Sequence, residues 1–147
     1  MVKRINQLRR DLDQNPGDMA AAVELADIYQ RAGMWDQAAG FYEQALEIEA
    51  EHPQLLVNLG LCYRGLGRFE DALVSFEEAI RLDPENWQSL FNTVVVAALD
   101  LQHFEVALRA MEALEAMPTA PGGPEHEQLD QLREWLAEAQ TAVENEG

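Results

Sequence analysis

Laid on itself with an offset of 34 residues, the chain keeps returning to the same residue types. Leu25 falls on Leu59, Tyr29 on Tyr63, Gly33 on Gly67, Trp35 on Phe69, Ala38 on Ala72, Tyr42 on Phe76 and Ala45 on Ala79. Pro16 and Pro84 stand two periods apart. A fixed period restricts the fold more than composition does, because each period must be one supersecondary unit that buries its apolar face by stacking on its neighbours. Recurrent small and aromatic residues fit two helices that cross closely within each unit. Ala26, Gly60, Ala38, Ala72, Ala45 and Ala79 admit the approach, while Tyr29, Tyr63, Tyr42 and Phe76 fill the space between. Gly33 and Gly67 suit a turn, and Pro84 stops the second helix.

The set Leu59-Gly60, Tyr63, Ala72, Phe76, Ala79 and Pro84 resembles the tetratricopeptide repeat family. That family's pattern is W-x2-L-G-x2-Y, then A-x3-F and a closing proline, in helix-turn-helix units of about 34 residues. The first unit departs at its end, where Ala50 stands for the closing proline and Pro53 follows three residues later. Ala22, Leu56 and Leu90 occupy the place of the family's tryptophan. A third unit starts in register at Trp87, with Phe91-Asn92 on Val57-Asn58, but Thr93 and Val94 replace Leu-Gly and no glycine occupies the turn. Ala107 and Met111 match Ala72 and Phe76 only at an offset of 35, which places one extra residue in that turn, and Pro118 returns to 34. The run TVVVAAL, Thr93 to Leu99, reads alone as a buried strand, but the repeat register makes it helical.

The resemblance implies an all-α, right-handed solenoid of helix-turn-helix repeats with a leading helix and a C-terminal capping helix, eight helices in all. Its expected divisions are 1–16 leading helix, 19–52 repeat 1, 53–86 repeat 2, 87–118 degenerate repeat 3, 119–124 Pro/Gly loop and 125–144 capping helix. Ile5, Leu8 and Leu12 make the apolar stripe of the leading segment and fall one period before Ala39, Tyr42 and Leu46, so it looks like a lone second helix. Leu129, Leu132, Leu136, Ala139 and Val143 carry the stripe of the last helix, with Pro124 suited to its first turn.

Composition narrows the function. At 147 residues and 48% hydrophobic, the chain is one domain able to bury a core. Its net charge of -17 excludes nucleic acid as a partner, since phosphate neutralisation needs clustered Lys and Arg. Lys3, Arg4, Arg9 and Arg10 nevertheless sit in the first ten residues without an acid, leaving -21 (-17 minus 4) for the rest. A single cysteine allows no internal disulfide. No secretory leader is legible, and the longest uncharged run, Asn86 to Leu99, is 14 residues, too short to span a bilayer. The expectation is a soluble, cytoplasmic chain.

Catalytic chemistry finds no footing. Gly60, Gly65 and Gly67 follow no strand and open no helix, so they do not form a phosphate loop. Cys62 has no basic neighbour and reads as a small buried hydrophobe. His52, His103 and His126 lack the i, i+4 spacing of a helical metal site. Pairs such as Glu77-Glu78 belong on a wet helix face. The reading is no enzyme, no cofactor, no metal and no small-molecule substrate.

Binding is what the resemblance implies, in a concave groove lined by the first helix of each unit. The groove positions select Ala20, Val23, Glu24, Asp27 and Gln30, then Gln54, Val57, Asn58, Leu61 and Arg64, then Gln88, Phe91, Asn92, Val95 and Ala98. Asn58 and Asn92 suit a peptide backbone, Val57, Leu61, Phe91 and Val95 suit an apolar guest, and Arg64 an acidic group. The expected partner is another protein, through a peptide segment or helix. The family's grip on acidic chaperone tails needs lysines, an arginine and asparagines where this chain has Val23, Asp27, Asn58, Gln88 and Asn92, and Asp27 would repel a carboxylate. Two alternatives remain. One is self-assembly of the basic start on residues 110–147, which hold nine acids and only Arg133 as a base. The other is the soluble part of a membrane-tethered assembly factor, similar to bacterial repeat proteins of cytochrome c maturation, with Lys3-Arg4 as a juxtamembrane flank.

Overall fold

The computed structural model describes residues 1–118, 123 and 125–147. Among these residues eight α-helices follow one another with no strand: α1 (Val2–Gln14), α2 (Met19–Arg31), α3 (Trp35–Ile48), α4 (Pro53–Gly65), α5 (Phe69–Leu82), α6 (Trp87–Val95), α7 (Phe104–Ala116) and α8 (His126–Glu146). A π-helical turn, Val96–Asp100, continues α6. Residues 119–122 and 124, on which the Pro/Gly loop and its first-turn proline fall, lie outside the described residues. A capping box opens α8 instead, between Glu125 and Gln128.

Local chemistry explains why helices start and stop on the period. Asp18, Asn86 and, between them, His52 are N-caps 34 residues apart, each accepting from the N–H three residues on: Ala21 at 3.1 Å, Leu55 at 3.2 Å and Ser89 at 2.9 Å. Pro53, the proline displaced from the repeat's end, takes the first turn of α4, where its missing N–H costs nothing. The second helices end alike at Glu49 (φ -135, ψ 95) and Asp83 (φ -138, ψ 90). Asn15, one period earlier, has φ -139 and ψ 89, so α1 leaves its last turn as a second helix does.

The turns after α2 and α4 are closed by paired bonds. Gly33 and Gly67 lie at φ +71 and +74, and the N–H of the next residue reaches back five positions, Met34 to Tyr29 and Arg68 to Tyr63. In the third unit the corresponding bond runs from His103 to Ala97, six positions, and Gln102 holds the left-handed place at φ +56. The extra residue therefore sits in the π turn, where Leu101 N–H bonds Val96 O, and not in the connecting turn. The β-branched run Thr93 to Val96 stays helical: the Thr93 hydroxyl bonds the Ser89 carbonyl at 2.7 Å, and Val94 and Val96 are fully buried.

Packing is between chain neighbours: α2 on α3, α4 on α5, α6 on α7, with α1 on α2, α3 on α4 and α5 on α6 joining them. The second helix of one unit is also bonded to the first helix of the next at a fixed spacing of 20 residues. Arg9 donates to the Tyr29 hydroxyl at 2.6 Å, and the Tyr63 hydroxyl donates to Glu43 at 2.7 Å. The end of the array is closed by α8, whose Leu132 and Leu136 join Leu90, Val94, Ala97, Met111 and Leu114 in one core cluster.

The tightest approach is Gly60 of α4 beneath the ring of Phe76 in α5. A Cβ at Gly60 would lie 2.5 Å from Phe76 Cε1, and Phe76 is fully buried. Gly60→Ala should therefore lose about 1–3 kcal/mol by overpacking, against an intrinsic helical gain of about 1 kcal/mol. Gly40 in α3 has nothing within 4 Å, so Gly40→Ala should gain about 0.4–1 kcal/mol. Replacing Gln102 by glycine should gain about 1 kcal/mol by relieving the left-handed backbone. Urea titrations of the three variants beside wild type measure all of this.

Candidate binding face

The first helices, α2, α4 and α6, carry the residues that the repeat pattern assigns to a groove. Val23, Asp27, Asn58, Leu61, Arg64, Gln88, Phe91, Asn92 and Val95 are half-buried there, and Gln54 is exposed. Val57 departs from that expectation. It is 2% exposed, packed in one cluster with Ala72, Phe76, Ala79 and Val96, so it belongs to the core and cannot touch a guest. The π turn contributes Val96 to that cluster, an effect that no 34-residue register contains. Ala98 is likewise buried.

A chain of polar contacts crosses from α3 over α2 to α4. The fully buried Tyr42 sends its hydroxyl to Asp27 Oδ1 at 2.5 Å, with Gln30 Oε1 at 2.8 Å. A hydroxyl has one proton, and the carboxylate is the stronger acceptor. Burial and then the Asp27 carboxylate hold the Tyr42 hydroxyl far above the ordinary tyrosine range, so it stays a donor. Gln30 donates onward to the Asn58 carbonyl at 3.4 Å, and Gln54 donates to Asn58 Oδ1 at 3.1 Å. In α6, Asn92 donates to the Gln88 carbonyl at 2.9 Å and keeps its side-chain oxygen on the face.

Arg64 is not a lone cation. Its Nε donates to Asp100 Oδ2 at 2.8 Å, with side-chain exposures of 34% and 13%, so the end of the π turn neutralises it. Beside this pair lies an open hollow of about 470 Å³ lined by Gln30, Trp35, Leu61, Arg64, Gly65, Phe69 and Asp100. Gly65 makes room for one wall, since a Cβ there would stand 2.5 Å from the Trp35 ring. Trp35 and Phe69 are period-related, so their shared position was legible as a signal although their role in the hollow was not. Asp100 carried no such signal, because its place depends on the π turn.

The remaining candidates have structural duties. Cys62 is buried, and burial pushes its thiol up to about 11, so it stays protonated at neutral pH and is a poor nucleophile. His52 Nδ1 serves as the cap of α4. Burial, then the Glu43 hydrogen bond, pushes Tyr63 up to about 12, while Arg68 stands 4.4 Å over its ring.

Residues 17–85 match the sequence profile of the tetratricopeptide repeat. Among solved structures, the first tetratricopeptide domain of human RPAP3 superimposes with a TM-score of 0.72 at 23% identity, covering 89% of this chain and 98% of that one. The TPR2B domain of yeast Sti1, solved as a complex with pHsp70, gives 0.71 at 18% identity, covering 82% and 96%. The crystal structure of MamA gives 0.66 at 16% identity, covering 76% of this chain and 63% of that one, so the chain spans less than two thirds of MamA. At these identities the likeness is one of fold. No curated protein sequence matches the chain significantly.

The polar chain around Tyr42 gives a direct test. Tyr42→Phe should cost about 1–2 kcal/mol, because the half-buried Asp27 carboxylate loses a charge-assisted donor. Tyr63→Phe, whose hydroxyl meets an exposed carboxylate, should cost under about 1 kcal/mol. Thermal or urea unfolding of the two variants reads the difference.

Proposed function

We propose that this chain, whose residues 17–85 are tetratricopeptide repeats, is a non-catalytic adaptor that holds a peptide segment or apolar helix of another protein along α2, α4 and α6. The observation that carries the reading is Leu61, a half-buried apolar side chain lining an open hollow whose other walls include Trp35 and Phe69. Val23, Phe91 and Val95 leave further half-buried apolar surface on the same set of helices. Asn58 and the Asn92 oxygen are the proposed contacts to a guest's backbone. A similar fold engages pHsp70 in yeast Sti1, which supports a protein guest. An acidic chaperone tail suits this face poorly, because Asp27 presents a carboxylate and Arg64 is already paired with Asp100.

Self-assembly on the concave face draws no support from the basic start, since Arg4 is bonded to Glu24 and Arg9 to Tyr29 within the chain. No helix among the described residues is long and apolar enough to cross a membrane.

Leu61→Asp combined with Phe91→Ala should lower partner capture about tenfold or more while helicity is kept. Phe91 also meets Trp87 edge-on, so Leu61→Asp alone should carry most of the loss. Capture assays with both variants, checked by far-ultraviolet circular dichroism, decide it; unchanged capture overturns the assignment.

A further inference from the structure

Five of the ten Lys and Arg residues, Lys3, Arg4, Arg9, Arg10 and Arg31, belong to α1 and the end of α2, in a chain of net charge -17. The same end holds an apolar cavity of about 280 Å³, lined by Met1, Ile5, Ile28, Tyr29, Arg31, Ala32 and Met34. Its mouth is unusually wet for apolar residues: Met1, Val2 and Met34 are 85%, 70% and 43% exposed. Arg31 stands at the rim, tied only to the Asp27 carbonyl through Nε at 3.2 Å. Exposed Lys3 is in the first turn of α1.

The opposite end has the complementary chemistry. After Arg133, which is bound to Glu115, α8 carries Glu134, Glu138, Glu144 and Glu146 and no base. Its apolar Ala139 and Val143 are half-buried yet belong to none of the core clusters among the described residues. The distal half of α8 is thus an acidic amphipathic helix with part of its apolar stripe unspent.

We propose that the occupant of the α1–α2 cavity is the distal half of α8 from a second copy of this chain. Val143 and Ala139 enter the apolar mouth, and Glu134 and Glu138 meet Lys3 and Arg31. The contact is head-to-tail, so each copy keeps one free cavity and one free α8, and the product is an open series of copies whose helix-A faces stay accessible. Charge attraction across a partly exposed rim makes the assembly salt-sensitive.

Sedimentation velocity tests this on the full chain. Wild type should form species larger than a monomer at about 20 mM salt and fall back to monomer at about 500 mM. Lys3→Glu with Arg31→Glu, and separately Glu134→Lys with Glu138→Lys, should each weaken self-association about tenfold or more. All four positions are exposed, and helicity checks the fold of both variants. Mixing the two variants places each reversed end opposite its complement and should restore assembly. Three results would each overturn the proposal: a wild-type monomer at low salt up to about 1 mM, assembly indifferent to either charge reversal, or a mixture that stays monomeric.

Discussion

Everything in this molecule depends on how closely the two helices of a unit can cross. Phe76 lies where the side chain of Gly60 would be, and Ala26, Ala38, Ala45, Ala72 and Ala79 have no exposed surface at all. These residues contribute little apolar area of their own. Their value is to bring the backbones near enough for Tyr42 and Phe76 to fill the space completely, which is where the dispersion and burial terms are earned. The Tyr42 hydroxyl reaches Asp27 and Gln30 because α2 and α3 lie so close. The candidate face is thus set by residues beneath it.

Periodicity made the fold legible because it repeats physical roles. The spacing of Gly33 and Gly67 marked the left-handed turns, and the Tyr29/Tyr63 and Ala38/Ala72 pairs marked the helix crossing. The caps escaped notice, since Asp18, His52 and Asn86 share a position and a function but not a residue type. Val57 was misplaced for a different reason. Its neighbour Val96 comes from a turn with one residue too many, and a pattern read by fixed offset assigns Val57 the exposure of its period-mates. The Arg64–Asp100 pair, 36 residues apart, was invisible on the same ground. Contacts inside a unit follow from the repeat, whereas contacts across its one irregularity do not.

Charge follows a different logic from packing. Most acids lie on second helices and on α8, while the first helices α2, α4 and α6 carry few ionic groups, chiefly Glu24, Asp27, Arg31 and Arg64. A strongly acidic chain can therefore still present a face dominated by apolar and amide chemistry. Net charge governs solubility and long-range attraction, and the local set of side chains governs what fits.

The π turn at Val96–Asp100 has a consequence for how this array could have grown. Units joined by the regular turn are interchangeable, because each presents the next with the same angle and the same tyrosine to bond. One additional residue rotates whatever follows by about a hundred degrees of helical phase. A copy of the third unit placed after itself would meet the wrong side of its predecessor. The sequence beyond Leu101 is therefore committed to ending the series, and α8 is packed on that rotated surface as the piece that only this unit can accept.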